Sequence, residues 1–387
     1  MSTNTKRQTG RRGNGEGSFR QRPDGLWECR ITLPNGKRKS LYAKTYEEIR
    51  AARKAAEREI DAGRDLSHKT ETVETFLERW LSESVKSSVR PTTYDSYAGH
   101  VRNHLVPALG KIRLDRLTPV QVQSFLNEKA GSGLSPRTVG YMRGVLRQAL
   151  AQALRWGLVS RNVATLATPP RAISKQIEPM SPDQVRQFLE STKDDRLGPL
   201  FHIAIGTGLR QGELLGLRWE DIDLDNGTLR VRFALQLRDG APQLVEPKTE
   251  KSRRALALPA SVVRALKTQR IKQNEDRLRA GASWKGNEWG LVFASTVGTP
   301  LNASNVTHRF QEALTAADLP RQRFHDLRHC CASLLLAQNV PARVVMEQLG
   351  HSQISLTMNT YSHVMPTALR EAADALECAL VSGLESG

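Results

Sequence analysis

A proline-bearing segment without helical or strand periodicity, residues 166–180, interrupts this chain of 387 residues. Pro169, Pro170 and Pro179 each lack a backbone donor, so no regular element is expected to run through the segment. We therefore predict a linker between separate folding units. The predicted organisation is a flexible basic arm, a small domain, a helical domain, the linker, and a last domain with a C-terminal tail: 1–14, 15–65, 66–165, 166–180 and 181–387.

The charge of the chain points to a polyanionic partner. The formal net charge is +17 and the sequence pI is near 10.1. Residues 1–44 alone carry 11 basic and 3 acidic side chains. We expect nucleic acid as the partner first and an anionic membrane surface second. No apolar run approaches the roughly 20 residues that cross a bilayer, and the polar N-terminus lacks the apolar region of a secretory signal.

The cysteines indicate a reducing compartment. The chain has four, two of them adjacent, and none forms a Cys-x-x-Cys pair: Cys29, Cys330, Cys331 and Cys378. A disulfide framework or a cysteine zinc site is not expected from this spacing. We therefore expect a protein of the cytoplasm.

Three short strands are predicted after the basic arm, at 18–21, 27–33 and 38–42. The turn sequences Pro-Asp-Gly and Pro-Asn-Gly separate them, and such turns between β-rich runs are typical of hairpins. The pattern predicts a three-stranded antiparallel sheet.

A helix is predicted next, from Thr45 to near Gly63, because Thr45 and Glu48 have the spacing of a capping box. A sheet this small has little core of its own, so we expect the helix to cover one face. The other face would then be placed to enter a DNA groove, although a solvated basic surface without a partner is the alternative. Three residues are predicted to lie on this face: Arg20, Arg30 and Lys39.

Residues 72–160 show helical periodicity only. Apolar residues recur at helical spacing from Val73 to Val85, and Pro91 opens a second helix. The pairs Thr118-Pro119 and Ser135-Pro136 each combine an N-cap with proline at the first helical position. The sequence predicts a bundle of about four helices with its aromatic residues in the core.

The last domain is predicted to mix helices with a small sheet. Helices are expected near 182–192 and 198–217 and again towards the C-terminus, with strands between them at 228–235, 243–246 and 254–258. The fold class we predict is mainly α with small antiparallel β elements (α+β).

Four stretches of this domain concentrate residues that are able to carry chemistry: 207–214, 247–254, 324–329 and 349–363. Each has an ordinary explanation when taken alone. An arginine and a glutamate three residues apart are typical of a surface pair, a basic stretch between strands is typical of a solvated hairpin tip, and a lone tyrosine is usually structural. His325 and His329 imitate a zinc-binding HExxH helix, but Arg328 would bring positive charge towards the metal.

Taken together, the order and spacing of these stretches resemble the tyrosine recombinase, or phage-type integrase, family. The matching motifs are Thr-Gly-Leu-Arg-x-Gly-Glu-Leu at 207–214, His-Asp-Leu-Arg-His at 325–329 and Leu-Gly-His-Ser at 349–352, with Tyr361 beyond them. The helical domain is similar to the family's core-binding domain, and residues 15–65 look like its arm-type DNA-binding module.

The resemblance implies a site-specific recombinase that integrates or excises a phage or mobile element. Such an enzyme cleaves and rejoins DNA through a 3′-phosphotyrosine intermediate, and the resemblance implies no metal and no other cofactor. It assigns catalytic roles to six residues: Arg210, Lys248, His325, Arg328, His351 and Tyr361.

The chemistry explains why these residue types are needed. Tyr361 would attack the scissile phosphate, and the planar, permanently charged guanidinium groups of Arg210 and Arg328 suit the extra negative charge of the phosphorane. His351 would donate a further hydrogen bond to the phosphate, and His325 would accept the proton of the nucleophile.

Two further roles follow from the resemblance. Lys248 would protonate the departing 5′ oxygen, and the nearby Lys251 stays open as the alternative donor. Glu213, three residues after Arg210, would orient the site from behind.

The implied partners are double-stranded DNA, at core-type and arm-type sites, and further copies of the chain. The C-terminal tail is predicted as an amphipathic helix at 368–381. A homotetramer on DNA would exchange these tails, and docking of the helix on its own domain is the alternative. An excisionase or a DNA-bending protein is the expected accessory class. The expected location is a prokaryotic cytoplasm, in association with the nucleoid. Three other functions remain open at this point: a type IB-like DNA topoisomerase, a non-catalytic DNA-binding regulator on the same fold, and a zinc hydrolase.

Overall fold

The chain forms two compact units in the computed structural model, Met1–Ser174 and Lys175–Gly387. The structure describes residues 19–34, 36–61, 71–172, 178–238, 240–247 and 253–350, with Asp374 and Glu377. The predicted arm 1–14 and nearly all of the predicted tail 368–381 lie outside the described residues.

The first unit begins with a three-stranded antiparallel sheet of order β1-β2-β3, formed by Phe19–Gln21, Trp27–Thr32 and Arg38–Ala43. Helix α1, Tyr46–Asp61, packs on one face through the buried Cys29, Ile31 and Ile49. The Glu48 carboxylate accepts from the Thr45 backbone N–H and the Thr45 hydroxyl accepts from the Glu48 N–H. The predicted sheet, helix and capping box are confirmed.

The strand register divides the predicted basic face. Arg20 and Arg30 lie on the face opposite α1, as expected. Lys39 pairs with the buried Ile31, and directly opposed residues of an antiparallel pair share a face, so Lys39 lies on the face that carries α1. The prediction that grouped Lys39 with the two arginines is therefore wrong, and its exposed neighbour Arg38 occupies the open face instead.

In the first unit, residues 71–172 form a bundle of four helices, as predicted. The first two helices each contain a π-helical turn, Leu81–Val85 in α2 and Val101–Leu105 in α3. Around these turns, α2 comprises Val73–Trp80 and Lys86–Ser88, and α3 comprises Pro91–His100 and Val106–Leu109. The other two helices are α4, Pro119–Gly131, and α5, Pro136–Arg155. Thr118 and Ser135 cap α4 and α5. Phe76 and Met142 are fully buried in the core of the bundle. Ala167, within the predicted linker, is also buried there.

The second unit contains seven described helices and two small antiparallel sheets. The helices are α6 Pro182–Ser191, α7 Gly198–Thr207, α8 Gln211–Leu215, α9 Ala260–Ala280, α10 Ala303–Ala316, α11 Asp326–Ala337 and α12 Ala342–Leu349. Phe188, Phe201 and Phe310 pack against one another in the core, where Met180 from the end of the predicted linker is also buried. The mainly α class with small antiparallel sheets is confirmed, while the predicted domain boundaries stay predictions.

The strands of the second unit differ from the expected ones. β4 Ile222–Asp223, β5 Thr228–Val231 and β8 Arg254–Ala257 form one sheet, whereas β6 Ala234–Arg238 and β7 Ala241–Val245 form a separate hairpin. The basic connection 247–254 therefore runs from the hairpin to the other sheet. The prediction that it is a hairpin tip is wrong, because β7 and β8 do not pair with each other.

The helices agree with the absence of a membrane-spanning run in the sequence. Among the described residues, none of them has the length and the apolar character that crossing a bilayer requires.

Candidate active site

The position of Arg210 depends on a break between two helices. The prediction of a single helix at 198–217 is wrong, because α7 ends at Thr207. Gly208 follows as its C-cap, with a left-handed φ of +64° that favours glycine. A Cβ on Gly208 would lie 2.5 Å from Leu349 Cδ2, so the close approach of α12 also needs a glycine there. Arg210 is then the N-cap of α8 and projects from the start of a new helix.

Glu213 holds Arg210 in place from the first turn of α8. Arg210 Nη1 donates to Glu213 Oε1 at 2.8 Å, and the Arg210 backbone N–H donates to Oε2 at 3.1 Å. Burial of Glu213 would by itself raise its pKa, but the charges and hydrogen bonds of Arg254 and Arg210 outweigh it and lower the pKa. The buried carboxylate is therefore ionised at neutral pH, while the Arg210 side chain remains 40% exposed.

Arg328, in the first turn of α11, lies close to the same place. Arg328 is 2% exposed. Its guanidinium donates to the Gly208 carbonyl at 2.7 Å and to the Leu349 carbonyl at 2.5 Å. Arg210 Nη2 donates to the next carbonyl, that of Gly350, at 3.3 Å. The two arginines thus hold consecutive peptide groups just before His351, and of the two it is Arg210 that reaches solvent.

His325 is the N-cap of α11, one turn before Arg328. Its pKa is lowered, first by desolvation from the surrounding protein and then by the charge of Arg328. The His329 ring lies 5.3 Å from the His325 ring, and desolvation together with His325 lowers the pKa of His329 to about 4. Both imidazoles are therefore neutral at pH 7, and a neutral His325 is able to accept a proton.

Arg254, which the sequence analysis did not single out, joins this group from the start of β8. Its side chain is 7% exposed, and an Nη donates to Glu213 Oε2 at 3.0 Å. Its Nε donates to the Gln348 carbonyl at 2.6 Å. The spacing of the motifs gave no signal for Arg254, since it is one of two adjacent arginines in a basic stretch and its burial depends on tertiary packing.

The remaining predicted site residues lie outside the described residues: Lys248, the alternative Lys251, His351 and Tyr361. The structure thus brings together Arg210, Glu213, His325 and Arg328, four of the seven residues predicted for the active site or its support. Their catalytic roles stay predictions.

The His325–His329 pair does not extend to a metal-binding cluster in the described part of the chain. Within it, no group of three or more His, Cys, Asp or Glu side chains is arranged to hold a metal ion. Asp326, between the two histidines in sequence, is instead held by Arg323, whose Nη2 donates to it at 2.7 Å.

A second candidate site is the open face of the N-terminal sheet. Glu28 is 5% exposed there and accepts from Arg20 Nη2 and Arg30 Nε, each at 3.1 Å. Tyr42 on the same face is 51% exposed, and the Arg22 guanidinium lies 5.4 Å from its ring centroid. The carboxylate fixes two arginines in an outward-facing array that is able to meet phosphates.

Comparison with known proteins agrees with this geometry. The phage integrase family matches residues 178–367, and the phage integrase N-terminal SAM-like domain matches residues 72–130. A tyrosine recombinase XerC-like protein of Caldanaerobacter subterraneus subsp. tengcongensis is 33% identical over 361 residues, covering 88% of this chain and 92% of the relative.

Two solved structures share the fold. The Tn1549 transposon integrase in complex with a circular intermediate DNA has a TM-score of 0.68 at 21% identity, covering 79% of this chain and 100% of that one. A lambda integrase tetramer bound to a Holliday junction has a TM-score of 0.56 at 18% identity, covering 90% of this chain and 96% of that one.

The chain therefore belongs to the phage integrase family of tyrosine recombinases. It is accordingly an enzyme that breaks and rejoins DNA, and the resemblance found in the motifs is confirmed. The main prediction of function is supported over a topoisomerase or a non-catalytic regulator.

Proposed function

We propose that the chain integrates and excises a phage or mobile element by tyrosine-mediated transesterification of DNA. The observation that carries the proposal is the arrangement of Arg210, Glu213 and Arg328 around the peptide groups that precede His351. It supplies fixed positive charge of the kind that a phosphorane transition state needs. A structural neighbour named as a transposon integrase and a relative named as an integrase of Staphylococcus phage L54a support the same kind of DNA substrate.

In the proposed reaction the two arginines act differently. Arg210, which reaches solvent, contacts the scissile phosphate. The buried Arg328 stabilises the negative charge of the phosphorane without contacting the phosphate, and it holds the carbonyls of Gly208 and Leu349. Glu213 fixes the rotamer of Arg210. The neutral imidazole of His325 accepts the proton of the attacking hydroxyl.

The remaining steps fall to residues beyond the described ones. Tyr361 Oη attacks the phosphorus, the bond to the 5′ oxygen breaks, and a 3′-phosphotyrosine forms. Lys248, or Lys251 in its place, protonates the departing 5′ oxygen, and His351 donates a hydrogen bond to a non-bridging oxygen. We propose that these cations make the reaction independent of metal ions.

DNA binding would involve both units. Helix α5 carries four arginines and no acidic residue, and Arg137 and Arg147 are exposed. We propose that this helix and the second unit bind the core-type site, while the open face of the N-terminal sheet binds an arm-type site. Two sites on one chain raise the effective concentration at the second and bridge DNA segments.

The proposed assembly is a homotetramer on DNA that exchanges C-terminal tails, with an excisionase or DNA-bending protein as the accessory. The lambda integrase tetramer on a Holliday junction supports the oligomeric state. The bacterial source of the XerC-like relative supports action in a prokaryotic cytoplasm, on nucleoid DNA.

The test is covalent trapping on a nicked suicide duplex built on the direct repeat that bounds the element encoding the chain. Wild type is expected to give a protein–DNA adduct in EDTA, and Tyr361→Phe is expected to give none. An adduct that persists in Tyr361→Phe would show that the nucleophile is misassigned. An adduct that needs a divalent cation would contradict metal independence.

A further inference from the structure

Arg254 stands where the basic connection enters β8, with its backbone fixed by the pairing of Arg254 with Val231. Its guanidinium reaches two elements that are distant in sequence. One is the Glu213 carboxylate, at 3.0 Å, and the other is the Gln348 carbonyl at the end of α12, at 2.6 Å. A Cβ on Gly350 would lie 3.0 Å from Arg254 Nη1, so α12 ends in close contact with this arginine.

The two oxygens of Glu213 are shared between two arginines. Oε1 accepts from the Arg210 guanidinium, whereas Oε2 accepts from Arg254 and from the Arg210 backbone N–H. A buried carboxylate with Arg210 as its single guanidinium partner would offset the charge that Arg210 offers to a phosphate. With Arg254 present, the cluster of Arg210, Arg254, Arg328 and Glu213 keeps two net positive charges.

The same guanidinium also supports the peptide groups that the other two arginines hold. Arg254, Arg328 and Arg210 donate in order to the carbonyls of residues 348, 349 and 350. Displacement of this turn would move the acceptors of both Arg210 and Arg328 together. A shift of about 1 Å at such a site can cost on the order of 10²-fold in rate.

We propose that Arg254 is a positioning residue for DNA cleavage, acting through Glu213 and the 348–350 turn. The inference rests on the proposed function, because it assumes that Arg210 contacts the scissile phosphate. Arg254 itself need not touch the DNA, since its side chain is 93% covered by protein. Its loss should therefore lower the cleavage rate at saturating DNA and leave the affinity for DNA nearly unchanged.

The test uses the full chain, the suicide duplex described above and single-turnover adduct formation. The variants are Arg254→Met and Arg254→Lys, with Arg253→Met and Arg253→Lys as matched controls. Arg253 is adjacent, 54% exposed and paired with Glu246. We expect Arg254→Met to cleave about 10- to 100-fold more slowly than Arg253→Met, with Kd for the duplex within about threefold. Arg254→Lys should recover part of the rate, because it keeps a charge beside Glu213.

A double-mutant cycle tests whether the effect passes through Glu213. If it does, Arg254→Met should slow a Glu213→Gln enzyme by clearly less than it slows the wild type, because coupled residues are not additive, and the slowing that remains reports the contact with the Gln348 carbonyl. Full additivity, or an Arg254→Met rate equal to that of Arg253→Met, would overturn the inference. If Arg254→Met does not fold, the comparison of Arg254→Lys with Arg253→Lys decides in the same way. A wild type that forms no adduct would instead refute the proposed function.

Discussion

Replacement of Glu213 by glutamine should destabilise the second unit by about 3 kcal/mol, because it breaks a buried ion-pair cluster. The carboxylate accepts three hydrogen bonds, from the guanidinium groups of Arg210 and Arg254 and from the Arg210 N–H. Glutamine offers a single acceptor oxygen and turns an NH₂ group towards a guanidinium. Removal of one partner from a buried pair costs roughly 3–5 kcal/mol, and the low end applies because Arg210 is 40% exposed.

Calorimetric unfolding of the full chain measures this effect. For a unit of this size, about 3 kcal/mol corresponds to a fall of roughly 6–12 °C in the transition of the second unit. The matched control is Glu246→Gln, since Glu246 forms an exposed pair with Arg253 and should lose at most about 1 kcal/mol. Equal shifts for the two variants would refute the argument that the buried cluster stabilises the fold.

The pH dependence follows from the same carboxylate. The pKa of Glu213 is lower in the folded state, so its contribution to stability is complete above the unfolded pKa, near 4.3, and is lost as pH falls through the folded value. Wild type should therefore lose more stability on acidification than Glu213→Gln does. A Glu213→Gln variant with the same acid sensitivity as wild type would contradict this assignment.

Three further predictions concern the backbone, the sheet and the base. Gly208→Ala should lower the free energy of unfolding of the second unit by about 1–3 kcal/mol, because the new side chain would meet a positive φ and a 2.5 Å contact with Leu349. Gly140→Ala is the control: its Cβ would meet open space on a helix, so it should raise the free energy of unfolding of the first unit by about 0.5–1 kcal/mol. Thermal unfolding measures both. Arg38→Ala should reduce the salt slope of arm-site DNA binding by about 1, measured by titration at several salt concentrations, and Lys39→Ala should change it less. Because the pKa of His325 is lowered, the rate of adduct formation should fall on acidification only at pH values below the ordinary pKa of histidine. His325→Gln should slow cleavage, and its pH–rate profile should lack this acidic decline.

Much of the fold could be predicted from local sequence, because its signals act within a few residues. The capping residues Thr45, Thr118 and Ser135 start helices where the sequence placed them, through hydrogen bonds made inside one turn. The motif residues Arg210 and Glu213 also meet inside one turn, at i and i+3. Contacts of this kind can be predicted from sequence, because both partners lie within one helical turn.

The predictions from sequence were wrong or incomplete where contacts between residues distant in the chain determine the structure. The face of Lys39 depends on the pairing of β3 with β2, since a shift of one residue moves every side chain to the other face. The break at Gly208 is required by the approach of Leu349, which lies 141 residues further along the chain. The role of Arg254 depends on contacts with Glu213 and Gln348, and neither is close to it in sequence.

The most direct test of the account is to identify the covalent linkage itself. The adduct formed in EDTA would be digested with protease and nuclease, and the modified peptide sequenced by mass spectrometry. We expect a nucleotide joined through its 3′ phosphate to the Tyr361 hydroxyl, with a free 5′ hydroxyl on the released strand. A phosphate on the 5′ end, or a linkage to any other side chain, would contradict it.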